Sequence, residues 1–286
     1  MTRLTSSMCD FYLMYIYDYS KELEHFADTF LKYLPFYVRN EDYFASLDES
    51  DDLDSLLVSR SKILRHNSRI IPKRTISTDG IYGELFLDFY LRIVKERKAI
   101  LTYANKRSFN SNYETTGPDN LVYYIDSNGI INLCICEAKF VSGATNAKKC
   151  LIEDIIGDGK KEGHITKQYL NDYFQFVVEK GANIAENDKH SFEKFLSDLN
   201  KECDAGNDFL SIIKSNNVCV NFIFFAIFDS MKKKPDELNV HYNEIYESLE
   251  KNIVKLGIKY YKIEIVFVPT TNSTMTIKEE MEKAYE

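Results

Sequence analysis

Two apolar runs around a Ser127-Asn128-Gly129 turn, Leu121–Asp126 and Ile130–Cys136, constrain the fold of this chain more than any other stretch. An Asn-Gly step between runs rich in β-branched and aromatic residues is a β-hairpin signal. A hairpin brings the residue before its first strand beside the end of its second. Asp119, which follows Pro118, therefore meets Glu137, Ala138 and Lys139 at one edge of a sheet. Leu133–Cys136 is apolar without alternation, the pattern of a central strand covered on both faces. Val218–Phe228 and Tyr260–Val268 repeat that pattern and are expected to extend the sheet. Helical patterns fall at residues 80–103, 146–156, 165–180, 189–202, 235–256 and 274–285. The predicted fold class is α/β, a mixed central sheet flanked by helices.

Ahead of this core, residues 10–17 read as a strand and 20–34 as a helix stopped near Pro35. Residues 40–57 are acidic and 58–72 mixed and basic. The expected division is an amino-terminal strand/helix module over 1–75 and a second domain over 76–286. Five prolines and 11 glycines in 286 residues argue against long disordered linkers. No run approaches the roughly 20 apolar residues that span a bilayer. The start of the chain, with Asp10 ahead of its apolar run, does not read as a signal peptide. The six cysteines lack the spacing of a zinc knuckle, and Cys134 and Cys136 share one face of an apolar strand. Reduced thiols in a cytoplasm are the expectation.

The residue types at the hairpin's edge have a chemical logic. Mg²⁺ takes oxygen ligands, usually one or two carboxylates plus water and substrate phosphate. Asp119 and Glu137 are the expected metal ligands, with the peptide carbonyl of Ala138 as a third; Mn²⁺ would serve as well. Lys139 lies two residues after Glu137, so both side chains leave the same face of the strand. An ammonium there can orient a water and offset charge building on a phosphate. Separately, each piece has a bland reading. A Glu-x-Lys at a strand end is usually a solvated ion pair, and an Asp after Pro is usually a turn residue. Their conjunction with the hairpin and with a charged triplet ending a buried strand favours a site.

Pro118-Asp119, 17 intervening residues and Glu137-Ala138-Lys139 resemble the PD-(D/E)xK nuclease signature, which implies a restriction-endonuclease-like core. With the Gly83-Glu84 pair opening the apolar helix Leu85–Val94, the block from about Gly80 to Lys139 is similar to the HamA family, the nuclease subunit of the Hachiman anti-phage system. That resemblance implies a Mg-dependent DNA nuclease with Glu84, Asp119, Glu137 and Lys139 as catalytic residues. It further implies a HamB-like helicase subunit as partner in a heteromeric complex. Two other readings remain: a catalytically silent helicase-docking subunit, and a stand-alone restriction or repair nuclease.

Charge bears on the choice. The chain carries 36 basic and 44 acidic residues, net −8, part of it in Asp48–Asp54. Phosphate contacts need Lys and Arg, so a partner is expected to do much of the nucleic-acid holding. Basic residues do gather near the motif: Arg92, Lys95, Arg97, Lys98, Lys106, Arg107, Lys148, Lys149, Lys160 and Lys161. They form either a DNA-facing rim or an ordinary solvated face. His164 more often satisfies local hydrogen bonds than it binds phosphate. Gln168 lacks the Tyr spacing of RecB-like nucleases and is not assigned to catalysis. Gly157, Gly159 and Gly163 do not form a phosphate loop, because no Lys-Ser/Thr ending follows them.

Overall fold

The computed structural model describes residues 2–6, 9–13, 79–100, 119–157, 163, 165–166, 170, 184, 186–206, 218–229, 235–258, 260–270 and 274–285. Seven strands form one sheet: β1 (Thr2–Ser6), β2 (Cys9–Leu13), β3 (Lys98–Ala99), β4 (Asn120–Ile125), β5 (Ile131–Val141), β6 (Val218–Asp229) and β7 (Tyr261–Thr270). Their order is β1-β2-β7-β6-β5-β4-β3. The inner strands β2, β7, β6 and β5 run parallel, while β5-β4, β4-β3 and β1-β2 are antiparallel. The mixed α/β sheet expected from the sequence is therefore present.

The hairpin forms as anticipated, with Leu121 opposite Ile135 and Ile125 opposite Ile131. Its turn is not the two-residue type in which both central residues take positive φ. Gly129 alone does so (φ 76°), and the Gly129 N–H donates to the Asp126 carbonyl. The Asp126 carboxylate accepts from the N–H groups of Asn128 and Ile130 at 2.9 and 3.0 Å, which locks the reversal.

Helices cover both faces of the sheet. Helix α1 (Asp79–Phe89) lies on the face of Ala138 and Phe140, with Phe86 stacked on the Phe140 ring at 6.2 Å. On the opposite face, Leu133, Ile135, Val220, Phe222 and Ile265 pack against α2 (Ala144–Ile156), α3 (Lys189–Asp204) and α4 (Pro235–Leu256). The burial of most of β5 and β6 follows from this double cover. A fifth helix, α5, spans Thr274–Tyr285.

The sequence overran one element. The helix expected over 80–103 stops as an α-helix at Phe89, continues as a π-helical turn over Tyr90–Val94, and gives way to β3. The break follows Lys95, where Glu96 adopts φ 53°, a conformation a non-glycine residue seldom takes. The strand expected at 10–17 is Cys9–Leu13, paired in parallel with β7, and β1 was not anticipated. The proposed boundary at residue 75, the helix at 20–34, the segments 40–57 and 58–72, the polar stretch 105–116 and most of 165–180 lie outside the described residues. So do Pro118, Lys106, Arg107, Lys160, Lys161, His164 and Gln168.

Among the described residues, no helix is long and apolar enough to cross a membrane. Cys134 and Cys136 are fully buried, and desolvation pushes the Cys134 thiol up to about 12. A thiol in that state packs as a small hydrophobe, as the sequence indicated.

Candidate active site

β5 is the platform of the site. Its buried run ends in Glu137, Ala138 and Lys139, at the level where β4 begins. The Asp119 N–H donates to the Cys136 carbonyl at 3.0 Å, and Asp119 Oδ2 accepts from the Ala138 N–H at 2.6 Å. This side chain replaces the next rung of the β4–β5 ladder. The Ala138 carbonyl leaves the strand on the same side as its N–H, toward Asp119.

Glu137 and Lys139 share the strand face that looks toward α2. Glu137 is only 3% exposed. Burial, then the Asp119 charge, raise its pKa well above the usual carboxylate range, against the opposing pull of Lys139; a hydrogen bond with Asp119 adds to the rise. Burial and the neighbouring Asp119 charge thus favour the protonated form of Glu137. Lys139 Nζ lies 3.9 Å from Glu137 Oε2 and 2.5 Å from Asp154 Oδ2. Burial alone would lower Lys139, but Asp119, Glu137 and Asp154 overcome it and hold the ammonium above its ordinary value.

Asp154 escaped the sequence reading. It lies on α2, whose buried stripe is Ala144, Ala147, Leu151 and Ile155. Asp154 is three residues after Leu151, hence near that inward stripe, and this spacing was the available signal. Three carboxylates thus surround one lysine.

Glu84 reaches the neighbourhood by another route. On α1 a Cβ built at Gly83 would stand 3.4 Å from the Lys139 carbonyl carbon and 3.5 Å from Ala138 Cβ. The bare glycine lets the helix lie against β5 at the site's level. Its contact is with the Ala138 face, whereas Glu137 and Lys139 project to the other. The structure therefore brings Asp119, Glu137, Ala138 and Lys139 together directly, and Glu84 to the same strand end from the helix side.

One residue on, Asn120 anchors the start of β4. Asn120 Nδ2 donates to Asp88 Oδ1 at 2.6 Å, and Arg92 Nη1 meets Asp88 Oδ2 at 3.4 Å, all three nearly inaccessible. This α1–β4 bond sits beside Asp119 and restrains its backbone.

The donors fit a hard divalent cation. Among the described residues no three His, Cys, Asp or Glu side chains form a ready-made cage. Two carboxylates and a carbonyl suit Mg²⁺, which retains several waters.

A sheet with acidic and basic groups converging at the end of a buried parallel strand is the class of site these observations define. The sequence profile of the HamA family matches residues 4–284, and the chain belongs to that family. Membership makes it a component of a Hachiman defence system. No curated protein and no solved structure matches it.

Proposed function

We propose that this chain is the metal-dependent DNA nuclease subunit of its defence system, built on a PD-(D/E)xK core and working with a HamB-like helicase. The observation that carries the reading is the meeting of Asp119 and Glu137 beside Lys139 at the end of a buried strand. Asp119, Glu137 and the Ala138 carbonyl would hold Mg²⁺ or Mn²⁺. When bound, such an ion activates a phosphodiester and lowers the pKa of an attacking water.

The remaining work falls to the chain. The Ala138 N–H fixes one Asp119 oxygen and so aims the other. The buried strand end excludes bulk water from Glu137, which strengthens each charge interaction there. Lys139, kept cationic by its carboxylate neighbours, donates to a water or a phosphate oxygen. Glu84 assists from α1. Net charge of −8 fits a subunit that relies on its partner to hold nucleic acid.

The test is plasmid cleavage in Mg²⁺ or Mn²⁺, comparing wild type with Glu137→Ala/Lys139→Ala, alone and with the helicase encoded beside it. Cleavage lost in the double variant supports the proposal. Cleavage retained there overturns it, and none under any condition leaves a helicase-docking subunit.

A further inference from the structure

The basic residues near the motif do not share one fate. Arg92 is buried against Asp88. Lys95 pairs with Glu264 at 3.5 Å, Lys98 with Asp188 at 2.5 Å, Lys148 with Glu244 at 2.5 Å and Lys149 with Glu153 at 3.7 Å. Arg97 has no carboxylate partner among the described residues. Its guanidinium lies 3.4 Å from the centroid of the Tyr124 ring, and its Nε is buried without a hydrogen-bond partner.

A second cation approaches the same tyrosine. Lys262 Nζ donates to Tyr124 Oη at 3.0 Å and to Asn132 Oδ1 at 3.4 Å. It too has no carboxylate within ion-pair distance among the described residues. Two acids are near, and both are engaged. Glu264, two residues along the same face of β7, accepts from Tyr90 and pairs with Lys95. Asp126 lies beyond ion-pair distance of Lys262, and its carboxylate is taken up by two turn N–H groups and the Asn132 side chain.

The floor beneath these groups is polar and ordered. Asn132 is fully buried and Asn221 is 5% exposed. Asn221 Nδ2 donates to Tyr124 Oη at 3.2 Å, to Asn132 Oδ1 at 3.4 Å and to Cys134 Sγ at 3.7 Å. Tyr124 Oη therefore accepts twice, from Lys262 and from Asn221. A hydroxyl that accepts in this way still carries one proton to donate. Arg97 thus covers the Tyr124 ring while Lys262, 5.5 Å from the ring centroid, bonds its hydroxyl, and among the described residues neither cation has a carboxylate within ion-pair distance.

The backbone favours this arrangement at some expense. Arg97 directly follows Glu96, whose φ of 53° is unfavourable for glutamate, and the π-helical turn over Tyr90–Val94 precedes it. The Arg97 N–H donates to the Leu91 carbonyl at 2.8 Å, holding the strained corner that places the guanidinium on Tyr124. Strain and π-turns persist where surrounding structure requires them, often at binding sites.

We propose that Arg97, Lys262 and Tyr124 bind a phosphate group of a nucleic-acid strand, at a point separate from the Asp119–Glu137–Lys139 site. The identity of the anion rests on the nuclease reading; the existence of an anion site rests on the geometry alone. A guanidinium stacked on an aromatic ring beside an ammonium that has no ion-pair partner is a platform for a phosphate backbone and its bases. On an acidic chain, two cations with no ion-pair partner among the described residues mark a local contact rather than a broad electrostatic footprint. Asn132 and Glu137 are five residues apart on β5, roughly 16 Å at the rise of a strand. They lie on opposite faces, so this contact holds a strand and takes no part in cleavage.

The experiment uses the full chain in EDTA, so that cleavage and metal binding play no part in the readout. A fluorescein-labelled single-stranded DNA oligonucleotide is titrated by anisotropy at several NaCl concentrations. Arg97→Ala and Lys262→Ala should each weaken binding about tenfold, and the double variant should flatten the salt slope by about 0.7, the loss of one phosphate contact on a single strand. Tyr124→Phe keeps the ring and loses the proton; it should weaken binding severalfold with the slope unchanged. Lys262 is exposed, so its variant tests the site without risk to the fold. Unchanged affinity and slope in Lys262→Ala and Tyr124→Phe overturn the site. Competition by inorganic phosphate as effective as competition by unlabelled strand overturns the assignment to a strand. Binding lost in these variants of a protein that proves inactive in plasmid cleavage leaves this site standing and removes only the nuclease reading.

Discussion

Replacing Glu137 by Gln isolates the cost of leaving the candidate metal site unfilled. Glu137 is buried, faces Asp119 and Asp154, and has Lys139 at 3.9 Å, farther than Asp154 has it. At an effective dielectric constant near 20, a charge pair at that distance attracts by about 4 kcal/mol. Desolvating a carboxylate costs several kcal/mol, and repulsion from its acidic neighbours adds to that. The ionised form is therefore a net burden on the metal-free fold. Gln keeps the shape and can donate to Asp119, so the substitution should stabilise metal-free protein at neutral pH by about 2 kcal/mol. In a chain of this size that is a rise in melting temperature of about 4 °C.

The pH dependence carries the sign. Glu137 has a folded pKa raised above its unfolded value, so the folded state binds the extra proton. Its stabilising contribution is complete below the unfolded value, near 4.3, and is lost as pH rises through the folded pKa. Thermal unfolding in EDTA across pH 4 to 8 should show wild type losing stability relative to Glu137→Gln as pH rises. Added Mg²⁺ should restore wild type and leave the variant little changed. Parallel pH profiles for the two proteins, or a variant less stable at pH 7.5, would refute the reasoning.

Other expectations follow from neighbouring contacts. Asp154→Asn removes the partner 2.5 Å from Lys139; cleavage should fall about tenfold while the melting temperature moves little, because the pair is partly solvated. Gly163→Ala places a Cβ 2.2 Å from the Ile155 carbonyl oxygen and 2.5 Å from the Gly157 nitrogen; a loss of about 3 kcal/mol should appear in denaturant unfolding, and wild-type stability would contradict the packing. Asp88→Ala takes the carboxylate from the buried Arg92 and the Asn120 amide, with an expected loss of about 3 kcal/mol. Combining Asp88→Leu with Arg92→Met should recover most of it, and a double variant no better than Asp88→Ala would show that the charge was not the cause.

Much of this protein was legible in local pattern. Turn chemistry at Asn128-Gly129 and continuous apolar runs located β4, β6 and β7 to within two residues, and the start of β5 to within one. A proline start and 3.6-residue periodicity bounded α4 at Pro235–Leu256. Once the hairpin is granted, the juxtaposition of Asp119 with Glu137 and Lys139 follows, because its register is set by the turn. These features depend on residues close in sequence, where backbone geometry alone sets who meets whom.

The rest depended on contacts that no local period records. The placement of β2 beside β7 joins residues some 250 apart. Asp154 becomes Lys139's nearest acid only when α2 folds back onto β5. The basic residues looked alike in sequence, yet the fold consumed Arg92, Lys95 and Lys98 in ion pairs and left Arg97 and Lys262 around Tyr124. Composition counts charges, but burial and pairing decide which of them remain available, and both are properties of the tertiary structure.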